Sequence, residues 1–165
     1  MIPLTLSPRP KIKRIKLLAP DHDIFITLLS DREGAQEIGK AVHAVNKEWW
    51  HVPFRWSKIT DSVFPSLWNL VEDLSLALLN KKRIFLHCAA GIDRTGLIAL
   101  STLLSFELDL FDAIKIIEQL RVQTAMTIEQ KIQVAEIIAD EVKWIREMEK
   151  GVLVEAYNRR FKELL

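Results

Sequence analysis

Short apolar runs and helical stripes divide the chain. Residues 24–29, Ile-Phe-Ile-Thr-Leu-Leu, form a β-rich apolar run with no polar face, the pattern of a buried strand. Residues 33–46 place Ile38, Val42 and Val45 at helical spacing. Residues 49–54 predict a second strand, closed by Pro53, and residues 55–64 a loop. Residues 65–79 predict a helix that opens on Pro65 and carries Leu67, Leu70, Leu74 and Leu78 on one stripe. Asn80-Lys81-Lys82 turns the chain into a third short strand over 83–87. Everything after residue 94 is helical in pattern. The predicted segments are 97–106, then 110–120 with Ala113, Ile116, Ile117 and Leu120, then 127–148 with Ile128, Ile132, Ala135, Ile138, Val142 and Ile145. Gly151 suits the end of that long helix, and a last helix within 150–165 carries Leu153, Tyr157 and Phe161. Strands alternating with helices, followed by a helical C-terminal half, predict an α/β fold with a central, mostly parallel sheet flanked by helices.

Composition narrows this picture. The 165 residues fit one domain, 1–165. A hydrophobic share of 49% supplies a real core. The longest apolar candidate, around 97–106, is broken by Ser101, Thr102 and Ser105, so no membrane span is expected. The prolines in MIPLTLSPRPK argue against a signal peptide, and the expected location is cytoplasmic. A net charge of +1 gives no global attraction to nucleic acid, and none is expected as a partner. Residues 1–20 are nevertheless locally basic, with Arg9, Lys11, Lys13, Arg14 and Lys16 preceding the first acid, Asp21. They read either as a steering arm for an anionic partner or as a solvated segment gripping the core through Ile12, Ile15 and Leu17. The single cysteine rules out an internal disulfide and a multi-cysteine zinc site. His22, His43 and His51 have no metal-ligand spacing, and neither a metal nor another cofactor is expected.

The candidate chemistry follows the third strand: His87-Cys88-Ala89-Ala90-Gly91-Ile92-Asp93-Arg94-Thr95-Gly96. A thiol ends a strand and a helix starts within six residues. A connection this short can curl so that backbone N–H groups converge on one point, an anion cradle reinforced by the helix dipole. Ala89, Ala90 and Gly91 are small enough for a ligand to approach the backbone. Arg94 can fork two N–H bonds onto a tetrahedral oxyanion. The same field favours the thiolate of Cys88. Thr95 can hydrogen-bond the sulfur, and a phosphate monoester suits both cradle and nucleophile.

The run His-Cys-x5-Arg-Thr, with its preceding apolar strand and its two glycines, resembles the signature loop of the cysteine-dependent protein tyrosine phosphatases. The small size points to the dual-specificity and archaeal-type members. The resemblance spans roughly residues 20–145. It implies the cysteine-phosphatase fold, Cys88 as nucleophile, and phosphate binding by the backbone of Ala89, Ala90, Gly91, Ile92, Asp93 and Arg94. It also implies phosphate monoesters, chiefly phosphorylated proteins, as substrates. His87 is expected to brace the loop.

Two more segments fit the resemblance. Asp61-Ser62-Val63-Phe64-Pro65, 27 residues before Cys88, matches the segment that supplies a general acid. Asp61 alone could equally cap the helix that follows. Thr60 stands where the family often has proline, and the other familiar placement of the acid falls on Arg55 or Trp56, which cannot protonate a leaving group. Residues 121–130, Arg-Val-Gln-Thr-Ala-Met-Thr-Ile-Glu-Gln, resemble the segment whose glutamine places the hydrolytic water. Gln130 takes that part, although Thr127-x-x-Gln130 is also a capping box. Asp93 before the arginine is seen in relatives acting on phosphoinositides, but their loop lysine is replaced here by Ile92. The alternative readings are therefore a phosphoinositide, inositol phosphate or RNA 5′-phosphate phosphatase, and a non-catalytic phospho-binding module.

Overall fold

A computed structural model describes residues 1–151 and 154–165. Among them, four strands pair in one fully parallel sheet: β1 (Leu4–Ser7), β2 (Ile24–Thr27), β3 (Glu48–His51) and β4 (Ile84–His87), in the spatial order β1-β4-β2-β3. The two central strands, β2 and β4, are buried along their whole length, which is why their sequences run apolar without alternation.

Two layers of helices cover the sheet, and the period of two along each strand sorts its residues between them. Leu4, Leu6, Ile24, Ile26, Ile84 and Leu86 face the larger core. This core is built with α3 (Phe64–Leu79), α4 (Asp93–Ser105), α5 (Leu110–Leu120) and α7 (Ile132–Met148). Phe25, Leu29 and Phe85 face a smaller cluster with Ile15 of α1 (Ile12–Leu18) and Ala35, Ile38 and Val42 of α2 (Ala35–Ala44). Cys88 continues the face of Ile84 and Leu86, so the sulfur belongs to the larger core while His87 points to the other layer.

Helix α4 is buried from Thr95 to Ser105. Three of its hydroxyls are satisfied within the helix: Ser101 Oγ donates to Leu97 O (2.7 Å), Thr102 Oγ1 to Ile98 O (2.8 Å) and Ser105 Oγ to Thr102 O (2.7 Å). A core helix can thus carry three hydroxyls at no cost in unpaired polar groups. No described helix is long and apolar enough to cross a membrane.

The N-terminal segment is more structured than its prolines predict. Leu4–Ser7 is an edge strand, with Leu4 and Leu6 buried and Thr5 exposed. Pro3 and Pro8 flank it, where their missing N–H groups cost the ladder nothing. Of the three residues expected to grip the core from α1, only Ile15 does so; Ile12 and Leu17 are 40% and 71% exposed. The long C-terminal pattern also divides. Residues Ile128–Lys131 form a 3-10 turn before α7 begins, and α6 (Val122–Ala125) precedes that turn. In α8 (Val154–Lys162), Phe161 is buried and stacks on Phe106 with ring centroids 4.1 Å apart, while Leu153 lies outside the described residues.

Candidate active site

The loop from Cys88 to Ile92 leaves the C-terminal end of a central strand, where parallel sheets gather ligand sites. Cys88 is 2% exposed at its base, whereas Ala89 and Ala90 are exposed above it. The loop carbonyls are drawn outward and held. His87 O accepts from the Leu28 amide (3.0 Å), Ala89 O from the Arg9 amide (2.9 Å) and Ile92 O from the Gly96 amide (2.8 Å). Gly91 O accepts twice, from Arg121 Nη1 (2.8 Å) and Thr124 Oγ1 (2.6 Å). With the carbonyls turned away, the amides from Ala89 to Arg94 donate to no protein acceptor among the described residues. Six consecutive unpaired donors that open a helix make an anion cradle.

Gly91 is required on two counts. Its φ is +68°, and a Cβ there would lie within 2.6 Å of the Ser7 and Pro8 backbone. The edge strand that the prolines disguised is therefore the wall behind the loop.

Arg94 is held by three segments. Its Nη1 and Nη2 donate to Glu33 Oε2 (2.9 Å) and Oε1 (2.8 Å), and Nη1 also reaches Leu28 O and Phe54 O, both at 3.3 Å. A guanidinium has five N–H donors along planar edges. Glu33 occupies the Nη1/Nη2 edge, so the Nε–H and one Nη2–H remain as a second, parallel fork. Arg94's guanidinium pulls the Glu33 carboxyl down to about 2, with help from the Ser30 amide, and Glu33 raises Arg94 in return. The Cys88 sulfur also contributes to raising Arg94. Glu33 was not among the sequence candidates. Its signal was the Ser30-x-x-Glu33 box directly after β2, whose hydrogen bonds form: Ser30 N and Oγ both donate to Glu33 Oε2.

Beneath the loop, a chain of hydrogen bonds fixes His87. Trp49 Nε1 donates to Thr27 Oγ1 (2.8 Å), leaving the threonine hydroxyl to donate to His87 Nε2 (2.8 Å); Nδ1–H then donates to Cys88 O (3.3 Å). Burial pushes His87 down to about 4, with Arg9 and Arg94 adding to the effect. The ring is neutral at pH 7 and cannot act as a charged group there. A folded-state value below the unfolded 6.5 means the unfolded chain binds the extra proton first. Stability is then unaffected by this group above pH 6.5 and falls between pH 6.5 and 4, by about 3 kcal/mol in all. The urea midpoint should decline across that window in the wild type, and His87→Gln should remove most of that decline. Equal slopes in the two proteins would contradict the buried, neutral imidazole.

The remaining candidates are placed as follows. Thr95 Oγ1 is fully buried and has no hydrogen-bond partner among the described residues; the expected bond to the Cys88 sulfur is not formed in this structure. Asp61 is exposed on the turn before α3. It does not cap that helix, whose N-cap is Val63 with no side-chain bond. Gln130 is exposed, and the capping box with Thr127 does not form. The 121–130 segment does meet the phosphate loop, but through Arg121 and Thr124 on Gly91 O. Asp93 is paired at 2.5 Å with Lys131, a fully buried lysine that was not among the sequence candidates.

A family model described as protein-tyrosine phosphatase matches residues 21–139. No curated protein matches the chain. Among solved structures, Tk-PTP in its active form is 20% identical with a TM-score of 0.63, covering 85% of this chain and 90% of that one. Kinase associated phosphatase, with its catalytic-site cysteine replaced by serine, is 18% identical at a TM-score of 0.68, covering 84% and 85%. TpbA of P. aeruginosa is 16% identical at 0.55, covering 96% and 86%.

Proposed function

The chain belongs to the protein-tyrosine phosphatase family, and from that premise we propose that it hydrolyses phosphotyrosine in proteins, and phosphoserine or phosphothreonine with it. It is a cysteine-based phosphatase; the proteins as substrates, and the part each residue plays, are our reading. The observation that carries the reading is the set of six free amides over a buried sulfur, closed on one side by the unused edge of Arg94.

In that reading Cys88 attacks phosphorus in line, and the Cys88–phosphorus bond forms as the ester oxygen leaves. The amides of Ala89 to Arg94 and the free fork of Arg94 stabilise the equatorial oxygens, whose charge grows in the transition state. Glu33 holds the guanidinium in plane for that contact. Asp61 gives its proton to the departing phenolate or alkoxide, then takes one from the water that cleaves the thiophosphate. Thr95, whose buried hydroxyl is otherwise uncommitted, is the group assigned to donate to the thiolate as it leaves. Gln130, on the turn beside the loop, is the group assigned to orient that water. TpbA has been crystallised with phosphotyrosine bound, which supports the substrate class.

The phosphoinositide reading rested on an acid, Asp93, directly before the arginine, and here Lys131 engages that carboxylate. Turnover of a phosphotyrosine peptide well above that of soluble phosphoinositides supports the protein reading; the reverse order overturns it. Binding without turnover of either would support a non-catalytic module. Asp61→Ala should lower kcat by about 10²–10⁴-fold and remove the alkaline limb of the pH–rate profile. An unchanged profile would move the acid elsewhere.

A further inference from the structure

Lys131 is the least expected residue near the site. Its side chain is wholly buried, yet its ammonium keeps three partners: Asp93 Oδ1 at 2.5 Å, Thr127 Oγ1 at 2.6 Å and Thr127 O at 2.9 Å. Those three acceptors use all three donors of an ammonium group. A buried lysine is costly unless it is fully paired, and here it is. The nitrogen also lies 5.6 Å from the centroid of the Trp56 ring, within range of a cation–π contact.

These contacts join three segments that are remote in sequence. Asp93 belongs to the phosphate loop and Thr127 to the turn preceding α7. Trp56 opens the short turn Trp56–Lys58, five residues before Asp61. The loop that carries Asp61 is therefore pinned twice on its N-terminal side: at Phe54, whose carbonyl accepts from Arg94, and at Trp56, over Lys131. Beyond Trp56 the chain is largely exposed through Ser57, Lys58, Thr60 and Asp61. Aspartate alone would set a negative charge beside a cradle built for a dianion, and Lys131 compensates it.

We infer that Lys131 is a positioning residue that ties the Asp61-bearing loop to the phosphate loop through Asp93 and Trp56, so that the acid meets the leaving oxygen. This rests on the assignment of Asp61 above. A lysine that only stabilised the fold would slow every substrate alike. A lysine that positions the acid lowers kcat/KM, which reports formation of the phosphocysteine, only for substrates whose leaving group needs a proton; the later hydrolysis, in which Asp61 also takes part, is common to all substrates.

The test compares phosphotyrosine with dinitrophenyl phosphate, whose leaving group departs unprotonated. Lys131→Met should cut kcat/KM for phosphotyrosine about 10-fold or more while changing that for dinitrophenyl phosphate little, and should blunt the alkaline limb of kcat/KM for phosphotyrosine. Trp56→Leu, which removes the ring at a half-buried position without stranding a charge, should show the same pattern. The double variant should be no worse than the more affected single one. If Lys131→Met does not fold, Trp56→Leu decides alone. Equal losses on both substrates, or additive losses in the double variant, would overturn the tether. Asp61→Asn separates the two ideas. A steep leaving-group dependence there beside a flat one in Lys131→Met and Trp56→Leu overturns the tether alone; a flat one in Asp61→Asn overturns the acid assignment and this inference with it.

Discussion

Cys88→Ser is expected to bring turnover of an aryl phosphate down to background while vanadate and phosphate bind as they do to the wild type. The two halves of the result have separate physical origins. Binding comes from the amides of Ala89 to Arg94 and from the free edge of Arg94, and neither involves the sulfur. Turnover needs an ionised nucleophile, and a serine hydroxyl stays protonated without a base to accept its proton. No such base is at hand: His87, the nearest in sequence, is locked between Thr27 and the Cys88 carbonyl. Stopped turnover with phosphate and vanadate affinity retained in a direct binding measurement is the signature to look for. Activity near the wild-type level in Cys88→Ser would end the nucleophile assignment and the phosphocysteine route with it.

The second large effect belongs to Arg94→Lys. An ammonium group is a point donor and cannot span two oxygens of a phosphoryl group from a planar edge. The loss on the substrate side should reach at least the ~10²–10³-fold typical of removing one preorganised donor. The change also acts behind the site. Glu33 loses the partner that holds its carboxyl down to about 2, and the Leu28 and Phe54 carbonyls lose their donor. The Phe54 bond is one of the two pins on the acid loop, so Arg94→Lys should depress both phosphate affinity and kcat. Steady-state kinetics with phosphate as competitive inhibitor separates the two contributions. Robust activity in Arg94→Lys would contradict recognition by a planar fork.

Much of the site was legible because it is local. From His87 to Gly96 the chain itself carries strand end, thiol, small residues, glycine and helix start, and backbone geometry does the rest over ten consecutive residues. The central strands, α3 and α5 were also legible, since their apolar periods are long or unbroken. Four residues of Leu4–Ser7 between prolines are too few to show a period, so the edge strand behind Gly91 stayed hidden. The turn at Ile128–Lys131 was hidden for another reason: its apolar spacing continues that of α7. In the segment 121–130, resemblance pointed to Gln130, but the residues that touch the phosphate loop are Arg121 and Thr124.

Sequence alone pointed to Cys88 and to the cradle above it, and determined the layered α/β class, because each depends on neighbours along the chain or on one repeating period. Tertiary structure decided what holds that cradle in shape. Glu33 meets Arg94 across 61 residues, Arg121 and Thr124 meet Gly91 across 30 and 33, and Lys131 brings Asp93 and Trp56 together. A charged or hydroxylated side chain looks the same in a sequence whether it faces water or a distant carbonyl. Only the packing of the helices against the sheet determines which of these it faces, and so which polar residues serve the site.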